Sequence, residues 1–435
     1  MSGRLRPLQA AGTVRQRGAA TLVVVMMLFL VMALLAAYAN RGLLFEQRIA
    51  SGFARAALAQ EAAEGGVEWA LALLNGPAID ENCQPKDVGG QRFADKYLRI
   101  NPSDRTVLGS SIPGVSKGIA VDCARDAANQ GWACQCKDLG ARTAPAAIGA
   151  GALTPSFGLW FDRGARGGLA MAYALGCSDS VVDRCAGVDD VNRSKNQLAA
   201  GTNTTALALV SAVRTPPAMP LVVKGNLTMA GAGLGLHNTD PRSGGALVSI
   251  GGTWAGMKDE RLETLPGSTL DQTRVQGEPT LQVAAEDVFR KFLGASPSQY
   301  AKHPALRTLT CNGDCASAID TAYKAGFRMF WLTGPASIGD SKVLGTVNDP
   351  VLIVTEGDLT LTGQTNISGM VVTTGHLDWS NATGLSLING MVLVGGSMST
   401  TGPVDISYQQ AVADQLSNRI GSFVRVPGGW IDTWP

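Results

Sequence analysis

The 435-residue sequence predicts an α+β protein: a long N-terminal transmembrane and amphipathic helix, then a disulfide-containing, β-rich domain with a β-helix or solenoid C-terminal part. Three observations carry that expectation. Residues 19–39 read AATLVVVMMLFLVMALLAAYA, with no charge, proline or glycine. Glycine occurs 53 times while only 16% of residues are charged and 6% aromatic, which without a collagen-like period fits a turn-rich β protein. Beyond residue 220, similar units of apolar strand, glycine turn and alternating strand recur.

The apolar run is 21 residues long, and at 1.5 Å per residue it spans about 32 Å, enough to cross a hydrocarbon core. Arg4, Arg6, Arg15 and Arg17 precede it, and no acidic residue occurs in the first 45 positions. The positive-inside bias places the N-terminus in the cytoplasm and the chain beyond Asn40 outside. The run is longer than a secretory signal core and enters a helical pattern instead of a cleavage loop. Phe45, Ile49, Phe53, Ala56, Ala63, Val67, Leu71 and Leu74 recur at helical steps, and Gly76-Pro77 ends the pattern. The predicted helix covers residues 19–75, with the transmembrane segment at 19–39.

Residues 76–215 form a Gly-, Ala- and Cys-rich exported region without a clear period. Residues 216–406 are read as a β-solenoid-like domain with a helical insertion, and 407–435 as a C-terminal helix and tail. In the solenoid-like part, Leu221-Val222-Val223-Lys224-Gly225-Asn226-Leu227 resembles the stretches beginning at Leu352, Val371 and Val392. The C-terminal units begin about twenty residues apart, a solenoid period; a β-sandwich with similar hairpins is the competing reading. Residues 282–291 and 317–325 read as helices. So do residues 407–420, with Ala411, Leu416 and Ile420 on one side.

All eight cysteines lie beyond the apolar run, as suits an oxidising compartment. Cys311 with Cys315 and Cys177 with Cys185 read as local disulfides, and Cys83, Cys123, Cys134 and Cys136 as two more of open connectivity. Zinc is the alternative, but Cys134-Gln135-Cys136 lacks the usual spacer and no histidine is near. The formal net charge of +1 excludes a global field, so no specific nucleic-acid partner is predicted.

No catalytic motif surrounds His237, His303 or His376, so no enzyme, catalytic residue, metal or cofactor is predicted. Gly231-Ala232-Gly233-Leu234-Gly235 lacks the full nucleotide-binding fingerprint. Asp183, Asp189, Asp190 and Asn192 read as a solvated acidic turn, with calcium as the alternative. The Asn-x-Ser/Thr triplets at Asn203, Asn226, Asn366 and Asn381 read as turn chemistry. Carboxylate pairs on a β-helix can cleave polysaccharide, so a membrane-anchored carbohydrate-active protein is an alternative.

Arg15-Gln16-Arg17-Gly18-Ala19-Ala20-Thr21-Leu22 resembles the class III leader of type IV pilins and type II secretion pseudopilins. Ala59-Gln60-Glu61-Ala62-Ala63-Glu64-Gly65-Gly66-Val67-Glu68-Trp69-Ala70 is similar to the helix end of PilX-type minor pilins and K-type pseudopilins. Val426-Pro427-Gly428-Gly429-Trp430-Ile431-Asp432 resembles the ending of many PilX-type proteins. The resemblance implies a leader at 1–18, prepilin-peptidase cleavage between Gly18 and Ala19, and N-methylation of Ala19. It also implies an inner-membrane subunit with a periplasmic domain, whose helix joins other minor and major pilins in a pilus or pseudopilus. Most pilins carry glutamate at filament position five, where it pairs with a neighbour's terminal amine. Here that position is Val23, which implies a minor subunit at the tip that initiates assembly. A tip adhesin or DNA-uptake subunit is the related alternative.

Overall fold

A computed structural model describes residues 19–109, 118–125, 131–138, 154–186, 198–311, 313–339, 343–382 and 384–431. The described residues divide into two bodies, the first ending at Ala57 and the second beginning at Leu58. One helix, α1 (Ala19–Leu74), occupies the segment expected to be helical. It stops one residue early because Asn75 turns its amide to other work. Asn75 Nδ2 donates to the carbonyls of Leu71 (3.0 Å) and Phe423 (2.9 Å), and its Oδ1 accepts from Phe423 N–H (2.8 Å). Pro77, without an N–H, cannot resume the ladder.

In the second body, the region without a sequence period is an antiparallel sheet. Its order is Gly421–Ile431, Ala200–Ser211, Leu169–Cys177, Ser156–Arg163, Val121–Arg125, Trp132–Gln135. One face packs Phe157, Leu159 and the alanines 170, 172 and 174 against Ala63, Val67 and Ala70 of α1. Trp69 closes this core edge-on to Phe93 (5.9 Å) and Phe157 (5.8 Å). Disulfides Cys83/Cys136, Cys123/Cys134 and Cys177/Cys185 staple it, and Cys311/Cys315 lies elsewhere. Cys134 and Cys136 thus bond to different partners.

Beyond residue 220 two further sheets, of eleven and six strands, contain only parallel pairings between strands. Successive layers stay in register: Ile353 beside Val371 beside Val392 in the larger sheet, Leu359 beside Leu377 beside Met398 in the smaller. The two strand types have different surroundings. In the larger sheet Ile353, Val371 and Val392 join one core, and Leu352, Val354, Met370 and Leu393 pack with Phe289, Phe292 and Leu416 in another. Burial on both faces explains uninterrupted runs such as Val351–Thr355. The smaller sheet's strands bury alternate residues, so Leu359, Leu361, Leu377 and Trp379 are inside while Thr362 and Asp378 meet solvent. The sheets do not close into a barrel; their order ends at open edge strands such as Leu306–Leu309.

The layers do not follow chain order. Leu221–Val223 pairs with residues 392–394 on one side and Val248–Ile250 on the other, which pairs in turn with Arg274–Gln276. The layer beginning at Leu221 therefore stacks on the one containing Val392, whereas a series read along the sequence would set it beside Leu352. A column of turn side chains crosses this seam. Asp358 Oδ1 accepts from His376 N–H (2.7 Å), His376 Nδ1 from Ser397 N–H (2.9 Å), Ser397 Oγ from Asn226 N–H (3.1 Å), and Asn226 Oδ1 from Thr253 N–H (2.9 Å). The acceptor role of His376 Nδ1 requires its Nε2–H tautomer.

The helices expected at 282–291 and 317–325 are Ala285–Leu293 and Ala316–Lys324. The expected helix at 407–420 is shorter, Gln410–Asn418, and Ala411 is exposed; Val412, Ala413 and Leu416 form the buried face, since Val412 stands one turn from Leu416. The expected tail is largely the sheet strand Gly421–Ile431. Asn203 is likewise a buried strand residue, not a turn residue.

Candidate functional site

The first body supplies the assembly candidate. Gly18 and the leader arginines lie outside the described residues, and Ala19 opens α1. Every large apolar side chain from Leu22 to Leu35 is at least half exposed, Val23 included. Among the described residues this is one helix long and apolar enough to cross a membrane. A continuous apolar surface of this size needs lipid or other helices around it. The stripe containing Phe45, Ile49 and Phe53 is continuous in sequence with Ala63 and Val67, but these three are exposed, and burial begins only at Ala59.

In the second body, two glycines that sequence reasoning missed seat the end of α1. Gly176 and Gly201 are direct partners on neighbouring strands. A Cβ on Gly176 would stand 1.9 Å from Ala59 O, and one on Gly201 would stand 2.6 Å from Gln60 Cα. Helix backbone therefore rests directly on sheet backbone, where only glycine fits. Gly66 of α1 faces the Phe157 ring in the same way, with its would-be Cβ 2.9 Å from Cδ2.

Residues 17–68 match the family model described as PilX N-terminal. That segment is a PilX-type pilin N-terminal domain. At the level of the family it points to a type IV pilus minor pilin that interacts with other pilus components, and the single apolar helix is consistent with membrane anchoring and pilus incorporation. No curated protein and no solved structure matches the chain. The PilX-type segment holds Ala19, Val23 and the Gly65-Gly66 pair, and it ends at Glu68.

Elsewhere in the second body, charged groups pair with one another. Arg92, Arg328 and Arg419 converge on Asp349, at 2.7, 2.8 and 3.1 Å, and Arg92 and Arg419 also hold Asp95. Burial opposes ionisation of Asp349, yet the three guanidiniums bring its carboxyl below the usual range. This clasp ties residues 92–95 to the parallel layers and to the end of the C-terminal helix.

The three histidines do not meet one another. Burial pushes His303 down to about 4, and its Nδ1 shares a hydrogen bond with Ser422 Oγ, which accepts from Ala305 N–H (2.7 Å). His237 lies at the seam between Glu263 (3.1 Å) and Asp405 (3.5 Å). The hydrogen bond to Asp405, opposed by desolvation and aided by Glu263, raises its pKa. Among the described residues no three His, Cys, Asp or Glu side chains could hold a metal. Asp183 is exposed in a 3-10 turn, and Asp189, Asp190 and Asn192 lie outside the described residues. Gly231 and Gly233 form the turn before the strand Leu234–His237.

Proposed function

We propose that this chain is a minor pilin that joins a type IV pilus through α1 and displays its β-rich body at or near the tip. The carrying observation is the PilX-type match on a helix whose apolar surface is exposed from Leu22 to Leu35. In this reading the prepilin peptidase cuts between Gly18 and Ala19, Ala19 is methylated, and the helix anchors the chain in the inner membrane with the second body in the periplasm. The likeness to the tip subunit of K-type pseudopili belongs to the same reading, as does a role without catalysis. The parallel sheets are read as coils of a β-solenoid, since in-register layers with glycine turns are its repeating unit.

Val23 supports the tip position. A neighbour's terminal amine buried beside valine lacks a counter-charge, at a cost of several kcal/mol. A subunit with no neighbour beyond it avoids that cost. N-terminal sequencing of the mature protein tests the assignment: a start at Ala19 is expected, and a start at Met1 with the peptidase present refutes it. Immunogold label at filament ends is expected, and label spread evenly along the shaft overturns the tip position.

A further inference from the structure

The four disulfides are not alike. Seven of the eight cysteines are buried, none of them more than 6% exposed, and the eighth, Cys311, is half-buried. Three bonds join residues separated by 53, 11 and 8 positions, whereas Cys311 and Cys315 are separated by 4. Closing so short a loop removes little freedom from the unfolded chain, so this bond adds the least to stability.

Its two ends also have different settings. Cys315 is held against the edge strand of the smaller sheet: its N–H donates to Ser337 O (2.8 Å), and Asp314 Oδ1 beside it accepts from Gly339 N–H (2.8 Å). Cys315 stands directly before the nine-residue helix Ala316–Lys324. Asp314 Oδ1 takes the N–H of Ala316 (3.0 Å), while those of Ser317 and Ala318 have no partner among the described residues. Free donors at the positive end of a helix favour a thiolate on Cys315. Cys311 is the end that an incoming group can reach.

We propose that Cys311/Cys315 is a thiol–disulfide exchange site for a protein that presents two neighbouring thiols. A partner thiolate attacks Cys311 Sγ, the bond to Cys315 breaks, and its electron pair leaves on Cys315 Sγ, the better leaving group. The partner's second thiolate then attacks its own bridged sulfur and expels Cys311 as a thiolate. The partner gives up two electrons and two protons and ends as a disulfide; Cys311 and Cys315 receive them and end as thiols. A single thiol does not complete the exchange, because Cys315 stays within reach of the mixed disulfide and closes again on Cys311. Each chain exchanges once, without turnover, and the inference does not depend on the filament reading.

The test incubates the full chain in detergent, undenatured, with dithiothreitol or with glutathione at equal thiol concentration. Samples are quenched with acid, and mass spectrometry follows alkylation at each cysteine. Cys311 and Cys315 should be alkylated together, about tenfold faster with dithiothreitol than any other pair and slowly with glutathione. Asp314→Asn keeps the acceptor oxygen and removes the negative charge beside Cys315, so it should quicken the reduction about threefold. The other three bonds, still unreduced in that variant, report that the fold is kept. A bond opened only because it is exposed would keep its rate. Reduction of Cys177/Cys185 at the same pace, equal action of the two reagents, or a rate unmoved by Asp314→Asn would overturn the proposal.

Discussion

The antiparallel sheet and the parallel layers solve the same problem with different means. The sheet's strands are rich in alanine and glycine, so each buries little area; three of the four disulfides and an aromatic core around Trp69 make up the difference. The layers bury Leu, Ile, Val and Met in repeating rows, and one short disulfide, Cys311/Cys315, accompanies them. Covalent constraint is concentrated where side-chain volume is lowest.

The strongest way to break this comparison is to remove a long-range bridge. Replacing Cys83 and Cys136 with serine opens a loop of sequence separation 53 and should cost about 4 kcal/mol. Removing Cys311/Cys315, with separation 4, should cost about 2 kcal/mol. Hydrogen exchange should show the first change loosening strands 121–125 and 132–135 while the layers keep their protection. Equal losses in both regions would contradict the contrast.

Gly390→Ala attacks the layers instead. Gly390 has φ 143°, and a Cβ there would stand 1.9 Å from Gly369 O in the adjoining strand. The expected loss is about 3 kcal/mol in denaturant unfolding, and Gly267→Ala, which meets only the strain of its φ of 89° with nothing near the added Cβ, is the milder control.

Arg419→Ala cuts the clasp between the two regions. It leaves Asp95 and Asp349 short of a partner, and since the network is part-exposed the expected cost is about 2 kcal/mol. The effect should shrink in high salt, and salt-independence would show that packing, not charge, joins the regions.

Near neutral pH the smallest effect is a pH dependence at His303. Its folded pKa, about 4, lies below the unfolded value near 6.5, so the unfolded chain binds the proton first. Stability should fall as pH drops below about 6.5, by about 1 kcal/mol at pH 6 and about 3 kcal/mol near pH 4, and level off below that. His237 runs the other way: its raised pKa contributes stability at low pH that is lost as pH rises through it. The difference in unfolding midpoint between wild type and His303→Gln, followed from pH 7 to pH 4, isolates the first; no change in that difference would exclude it.

What could be read from the sequence follows from the same contrast. The N-terminal helix and the layer units announce themselves because long apolar runs have few alternatives. The strand Leu169–Cys177, with alanine at every second position, carries helix-forming residues that become strand only because α1 needs small side chains beneath it. Pro427, Gly428 and Gly429 disguise the final strand as a tail, and they fall where its register shifts. Val23 was legible as a departure from a pattern. The Gly176/Gly201 seat was not, since it joins segments far apart in the chain.

The seam between Leu221 and Val392 carries a consequence for how the protein is made. Those residues are neighbours in space but about 170 positions apart in the chain. During synthesis the first layer emerges long before the surface it rests on exists. It must wait with an unpaired edge until residues 391–407 arrive, and the strand Ala200–Ser211 must wait longer still for residues 421–431. A chain cut short near its C-terminus would therefore lose order at both of these early segments, so a protease or a premature stop that removes only the last few dozen residues strips the protein of far more than it deletes.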